Sequence, residues 1–87
     1  MLIIYTIDNK LHIQSSHIIK KGRVKIFDGT GKTVETGRLK NGLFYSKRLN
    51  LKSGRYLVKV EWDGGHEHKH IYIKQPTNKS ESTTDTM

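Results

Sequence analysis

Gly65-His66-Glu67-His68-Lys69-His70 is the one segment whose residue types and spacing suit chemistry. Histidines at every second position of a strand project to one side, about 7 Å apart, and two such imidazoles can serve a zinc ion. The third ligand depends on how this segment folds back on Arg55 to Trp62. A four-residue loop through His66 pairs Val58 with Ile71 and Tyr56 with Ile73, and sets His68 opposite Glu61 and His70 opposite Lys59. A three-residue loop pairing Val60 with His68 turns the apolar side chains outward, because one residue of slip exchanges the two faces of a strand. The candidate metal site is therefore His68, His70 and Glu61. Lys59 and Lys69 stand against it by placing positive charge beside a cation, and the competing reading is a row of ordinary exposed polar side chains.

Nucleophilic catalysis has little to work with. Ser15, Ser16, Ser46 and Ser53 fall in strand or turn contexts with no recognisable base and orienting acid, and the carboxylates are few and scattered. Gly29 and Gly31 resemble a phosphate-cradling loop only loosely, since no helix start follows to orient backbone N–H groups. No cofactor is expected, and the chain reads as non-enzymatic.

Charge is the other conspicuous property. The 87 residues carry a formal charge of +8; residues 75–87 hold Lys79 against Glu81 and Asp85, so the first 74 carry 15 cations against 6 carboxylates. Such a field attracts nucleic acid, anionic glycolipid or acidic protein at low salt. Phe27, Tyr45 and Tyr72 would be the stacking candidates for single-stranded nucleic acid. The plainer reading is a solvated surface with cations on every strand and turn, because no basic run exceeds two residues: Lys20-Lys21 and Lys47-Arg48 are the adjacent pairs.

The elements that must position these groups are strands. Short apolar alternations separated by turn signals predict seven of them, with no helix: Leu2 to Ile7, Leu11 to Ser15, Arg23 to Asp28, Thr33 to Lys40, Leu43 to Leu49, Arg55 to Trp62 and a closing strand ending at Lys74. Asp8-Asn9-Lys10 suits a hairpin turn because Asp and Asn tolerate positive φ, Asp28-Gly29-Thr30-Gly31 suits a sharp turn, and Asn41-Gly42 is the strongest hairpin signal of all. Tyr56, Val58, Val60 and Trp62 share one face of the clearest strand. Strands with one apolar face and no helices bury those faces by packing two layers or closing a barrel, and an immunoglobulin-like antiparallel β-sandwich over residues 1–74 is the expected fold. Hydrophobic residues make up only 33% of so short a chain, so the core is thin. There is no cysteine to brace it. Residues 75–87 read as a polar tail. The opening Met1 to Ile7 is too short and lacks the basic lead-in of a signal peptide, and no apolar stretch approaches the roughly 20 residues of a spanning helix.

Three segments carry a resemblance: Val24-x-Ile26-x-Asp28-x-x-Gly31-Lys32, Leu51-x-x-Gly54-x-Tyr56-x-Val58-x-Val60, and Lys69-x-Ile71-x-Ile73. Over residues 11 to 74 the chain resembles the C-terminal sorting domain of type IX (Por) secretion cargo, and the related small stand-alone β-sandwich proteins of similar bacteria. The resemblance implies a seven-stranded immunoglobulin-like module that is read by an outer-membrane translocon and removed at the cell surface. It implies turn-shaping roles for Gly31 and Gly54 and a central strand built on Tyr56, Val58 and Val60. Arg55 departs from the small apolar residue usual there, and a 13-residue tail follows where such domains normally stop. The function so implied is protein–protein contact at the cell envelope, made through exposed sheet edges, with a secretion or envelope component as partner and an extracytoplasmic location.

Overall fold

The computed structural model describes residues 2–75. They form five antiparallel strands: β1 (Leu2–Ile7), β2 (Lys10–Phe27), β3 (Thr33–Arg48), β4 (Gly54–Trp62) and β5 (Gly65–Ile73). The all-β sandwich class holds, with five strands where seven were expected. The expected second and third strands are one continuous β2, and the fourth and fifth are one continuous β3.

Two long strands create both layers. The first part of β2 lies between β1 and the end of β3; its last part lies between the start of β3 and β4, and β5 extends that layer beyond β4. Between these parts the β2–β3 register breaks: Gln14 pairs with Phe44, and the next pair is Ile19 with Gly42. Four residues of β2 thus face one of β3, and the extra length bends the ribbon as a large bulge does. Asn41-Gly42, expected to reverse the chain, lies at this bend, with Asn41 in the left-handed region at φ 51°. The residue signal was genuine, but the strand turns a corner there and does not reverse.

The corner brings β3 back over itself. Glu35 and Lys47 would lie about 40 Å apart on a straight strand, yet they form an ion pair. Tyr45 packs over Gly37, where any Cβ would collide with the phenol ring. Two layers face each other, and between them lies one cluster: Leu2, Ile4, Leu11 and Ile13 from the smaller layer meet Val24, Ile26, Val58, Val60, Ile71 and Ile73 from the larger. No polar or charged residue is buried among the described residues. Every buried side chain therefore contributes by leaving water, at about 25 cal/mol per Å² of apolar surface.

Turns and clasps finish the fold. Asp8 (φ 51°) and Asn9 (φ 63°) make a two-residue β1–β2 turn, one residue tighter than the expected Asp8-Asn9-Lys10 because Lys10 already pairs with Ile7. The Asn9 side chain then bonds the backbone of Lys74 in both senses, donating to its carbonyl at 2.9 Å and accepting from its N–H at 3.1 Å. In the turn after β2, Asp28 Oδ1 accepts from Thr30 N, Thr30 Oγ1 and Lys32 N, with Gly31 at φ 88°. Gly54 opens β4 at φ 154°. The Tyr56 hydroxyl reaches back to donate to the Lys52 carbonyl at 2.7 Å, pinning the loop before β4 as a tyrosine corner does in other sandwiches. The polar tail lies outside the described residues except for Gln75, whose N–H donates to Ser53 Oγ and whose side-chain amide donates to the Leu51 carbonyl.

Removing the Tyr56 hydroxyl by Tyr56→Phe is expected to cost about 1 kcal/mol, lowering the melting temperature by roughly 4–8 °C while strand content is retained. Thermal melts followed by circular dichroism measure this. The hydrogen bonds at Asp28, chiefly from the Thr30 hydroxyl and then from the Lys32 and Thr30 backbones, hold its carboxyl below the ordinary 3.8. A lowered folded value makes the turn's contribution complete above pH 3.8, and it is lost as pH falls through the lowered value. The Thr30 and Lys32 amide resonances are expected to titrate together, with a midpoint below 3.8.

Candidate functional site

β4 and β5 present the segment that looked most like a site, and the turn between them decides its geometry. Trp62 pairs with Gly65, so only Asp63 and Gly64 form the loop, and the hairpin is two residues tighter than the expected four. A two-residue shift keeps every side chain on its own face but changes its neighbour. Tyr56 pairs with Ile71 and Val58 with Lys69, where Ile73 and Ile71 were expected. On the outer face, Glu61 is opposite His66, Lys59 opposite His68, and Leu57 opposite His70.

This moves the carboxylate away from the two proposed imidazoles. Glu61 sits beside Lys59, with Oε2 3.8 Å from the ammonium. Among the described residues no group of three or more potential ligand side chains is close enough to hold a metal ion. His68 and His70 still share the outer face of β5, both exposed, and any zinc binding there would rest on these two rings alone.

Val58 and Val60 are fully buried and Tyr56 is buried beside them; Gly31 lies in the turn after β2 and Gly54 opens β4, both at positive φ. Arg55 points outward, opposite Tyr72 and in solvent, which is how a charged side chain is accommodated at that position.

Two surfaces remain open to a partner. The first is the edge formed by β5. From Gly65 to His70 both faces of this strand are exposed, and β4 pairs only one of its sides. Glu67 and Lys69 alternate with the histidines and lie opposite Val60 and Val58, so charged groups sit on the core-facing side of the strand. Inward-pointing charge at an edge discourages indiscriminate pairing. The second surface is the outer face of the smaller layer. There Ile3 and Ile7 of β1 and Phe44 of β3 are about half exposed, and Tyr5 stacks on His12 at 5.0 Å, with Phe44 tilted against the other side at 5.8 Å. The alternation Ile3-x-Tyr5-x-Ile7 carried the signal for this face.

A two-layer antiparallel module with an open edge and a thin apolar core is a small all-β sandwich domain. The secretion system C-terminal sorting domain model matches residues 7–74, most of the chain, and the protein belongs to that family. The match begins within β1, and the core contributions of Leu2 and Ile4 show why the fold starts before residue 11. No curated protein matches the chain.

Calorimetry with zinc is expected to show a weak heat that a His68→Ala, His70→Ala double variant abolishes and Glu61→Gln leaves unchanged. A loss on Glu61→Gln would restore the three-ligand arrangement.

Proposed function

We propose that this module directs export by being recognised as a folded unit, through protein–protein contacts with a component of the secretion machinery at the cell envelope, and that it catalyses nothing itself. Family membership across residues 7–74 carries the reading. The geometry adds the means: the Gly65–His70 edge offers unpaired backbone donors and acceptors to an incoming strand, and side-chain contacts then select the partner. Charged Glu67 and Lys69 make that selection stringent, because a partner strand must answer both. The half-exposed Ile3, Ile7 and Phe44 supply apolar area of the kind that marks protein contact surfaces. On this reading the protein acts outside the cytoplasm.

An exported reporter fused to residues 2–75 is expected to reach the surface of a host that has the secretion system; retention in the periplasm sinks the proposal. To test the edge itself, His68→Pro and Lys69→Pro are compared. Amides alternate in direction along a strand, so one proline removes a donor bonded to β4 and the other removes one facing outward. The variant that keeps its melting temperature is expected to lose surface delivery.

A further inference from the structure

The outer face of the larger layer carries an arrangement that fold stability alone would not select. Lys40 is paired directly with Lys21, Arg38 with Arg23, and Lys25 with Lys59. Like charges in directly opposed positions destabilise a sheet. Here three such pairs fall on one face, running obliquely from β3 across β2 to β4, and Arg55 continues the line. Glu61 is the one carboxylate on this face among the described residues; it is paired across from Arg23, and its Oε2 lies 3.8 Å from the Lys59 ammonium. No ion pair engages Lys21, Arg23, Arg38 or Lys40 among the described residues. A cleft of about 490 Å³ opens where these four meet Glu61 and Trp62.

The chemistry of the occupant follows from the face. Successive outward residues on a strand repeat at about 7 Å, so the stripe is a row of cations about 20 Å long, suited to a chain with regularly repeated negative charge. A protein partner fits poorly, because protein contact surfaces are depleted of charge at their centres and enriched in aromatic and apolar groups. This face offers only half-buried Phe27 and Leu57 there. At the end of the stripe Tyr72 is 68% exposed and pairs with Arg55, a free ring beside a cation. Cationic grooves joined to exposed aromatic rings are how single strands are held without sequence preference. We infer that this face binds single-stranded nucleic acid, phosphates along the paired cations and a base on Tyr72. The inference is independent of the sorting function.

The test uses the full chain and three probes: a thymidine oligomer of about 20 nucleotides, inorganic polyphosphate and polyglutamate. With six cations engaged, the thymidine oligomer should bind with a logarithmic salt slope of about −4, weakening roughly 300-fold between 50 and 200 mM salt. The double variant Arg38→Glu, Lys40→Glu turns two repulsive pairs into attractive ones. It should melt a few degrees higher than wild type, yet bind with a slope near −1.4 and at least tenfold more weakly at 50 mM salt. Lys52→Glu, a charge reversal off this face, should leave affinity within about twofold, and Tyr72→Ala should weaken the thymidine oligomer but not polyphosphate. The inference is overturned by absence of binding at 50 mM salt, by equal losses from the double variant and Lys52→Glu, by indifference to Tyr72→Ala, or by polyglutamate binding as tightly as the oligomer, which would assign the face to an acidic protein.

Discussion

The corner in the β2–β3 ribbon is the constraint on which the rest depends. A single flat sheet of these strands would leave every apolar side chain of its inner face in water, and no helix covers it. By bending at the unequal stretch between Gln14–Phe44 and Ile19–Gly42, the ribbon supplies strands to both layers and lets the sheet cover itself. Glu35 meets Lys47 and Tyr45 settles on Gly37 only because of that bend. No polar or charged residue is buried among the described residues to impose its own geometry, so the corner, with Asn41 at positive φ, fixes how the layers meet.

Most of the fold was legible in the sequence because strand alternation is a local signal. Tyr56, Val58 and Val60 could face only inward, and Asp8-Asn9 could only turn. What could not be read was continuity. Asn41-Gly42 carries residue types suited to positive φ, which serve equally in a hairpin and in a bent strand, and the choice between them is made by pairing with β2 a score of residues away. The β4–β5 register failed for a related reason. Shifts of two residues preserve every inside–outside assignment, so alternation cannot distinguish them, and the tight Asp63-Gly64 turn decided the matter. The pairing from which the candidate metal site was drawn, Glu61 opposite His68, is replaced by Glu61 opposite His66.

Charge along a strand needs its own ruler. Adjacent basic residues are scarce, which suggested an even spread. In a strand the meaningful neighbour is two residues away, and Lys21-x-Arg23-x-Lys25 with Arg38-x-Lys40 places five cations on one face. The two outer faces thus differ in kind: the smaller layer shows isoleucine and aromatic rings, the larger shows paired cations, and the β5 edge lies at one side of the latter. The module belongs to the sorting-domain family, and its surface is divided between an apolar face and a cationic one.

The bonds from Asn9 to Lys74 set a condition on when the module can mature. They join the first turn to the residue after the last strand, 65 positions later. Without Lys74 that latch is open, and without β5 the layer that buries Val58 and Val60 is incomplete. Completion must wait for both ends of the module to meet, and long-range closure of this kind is slow. The clasp can therefore close only once every strand of the module is present.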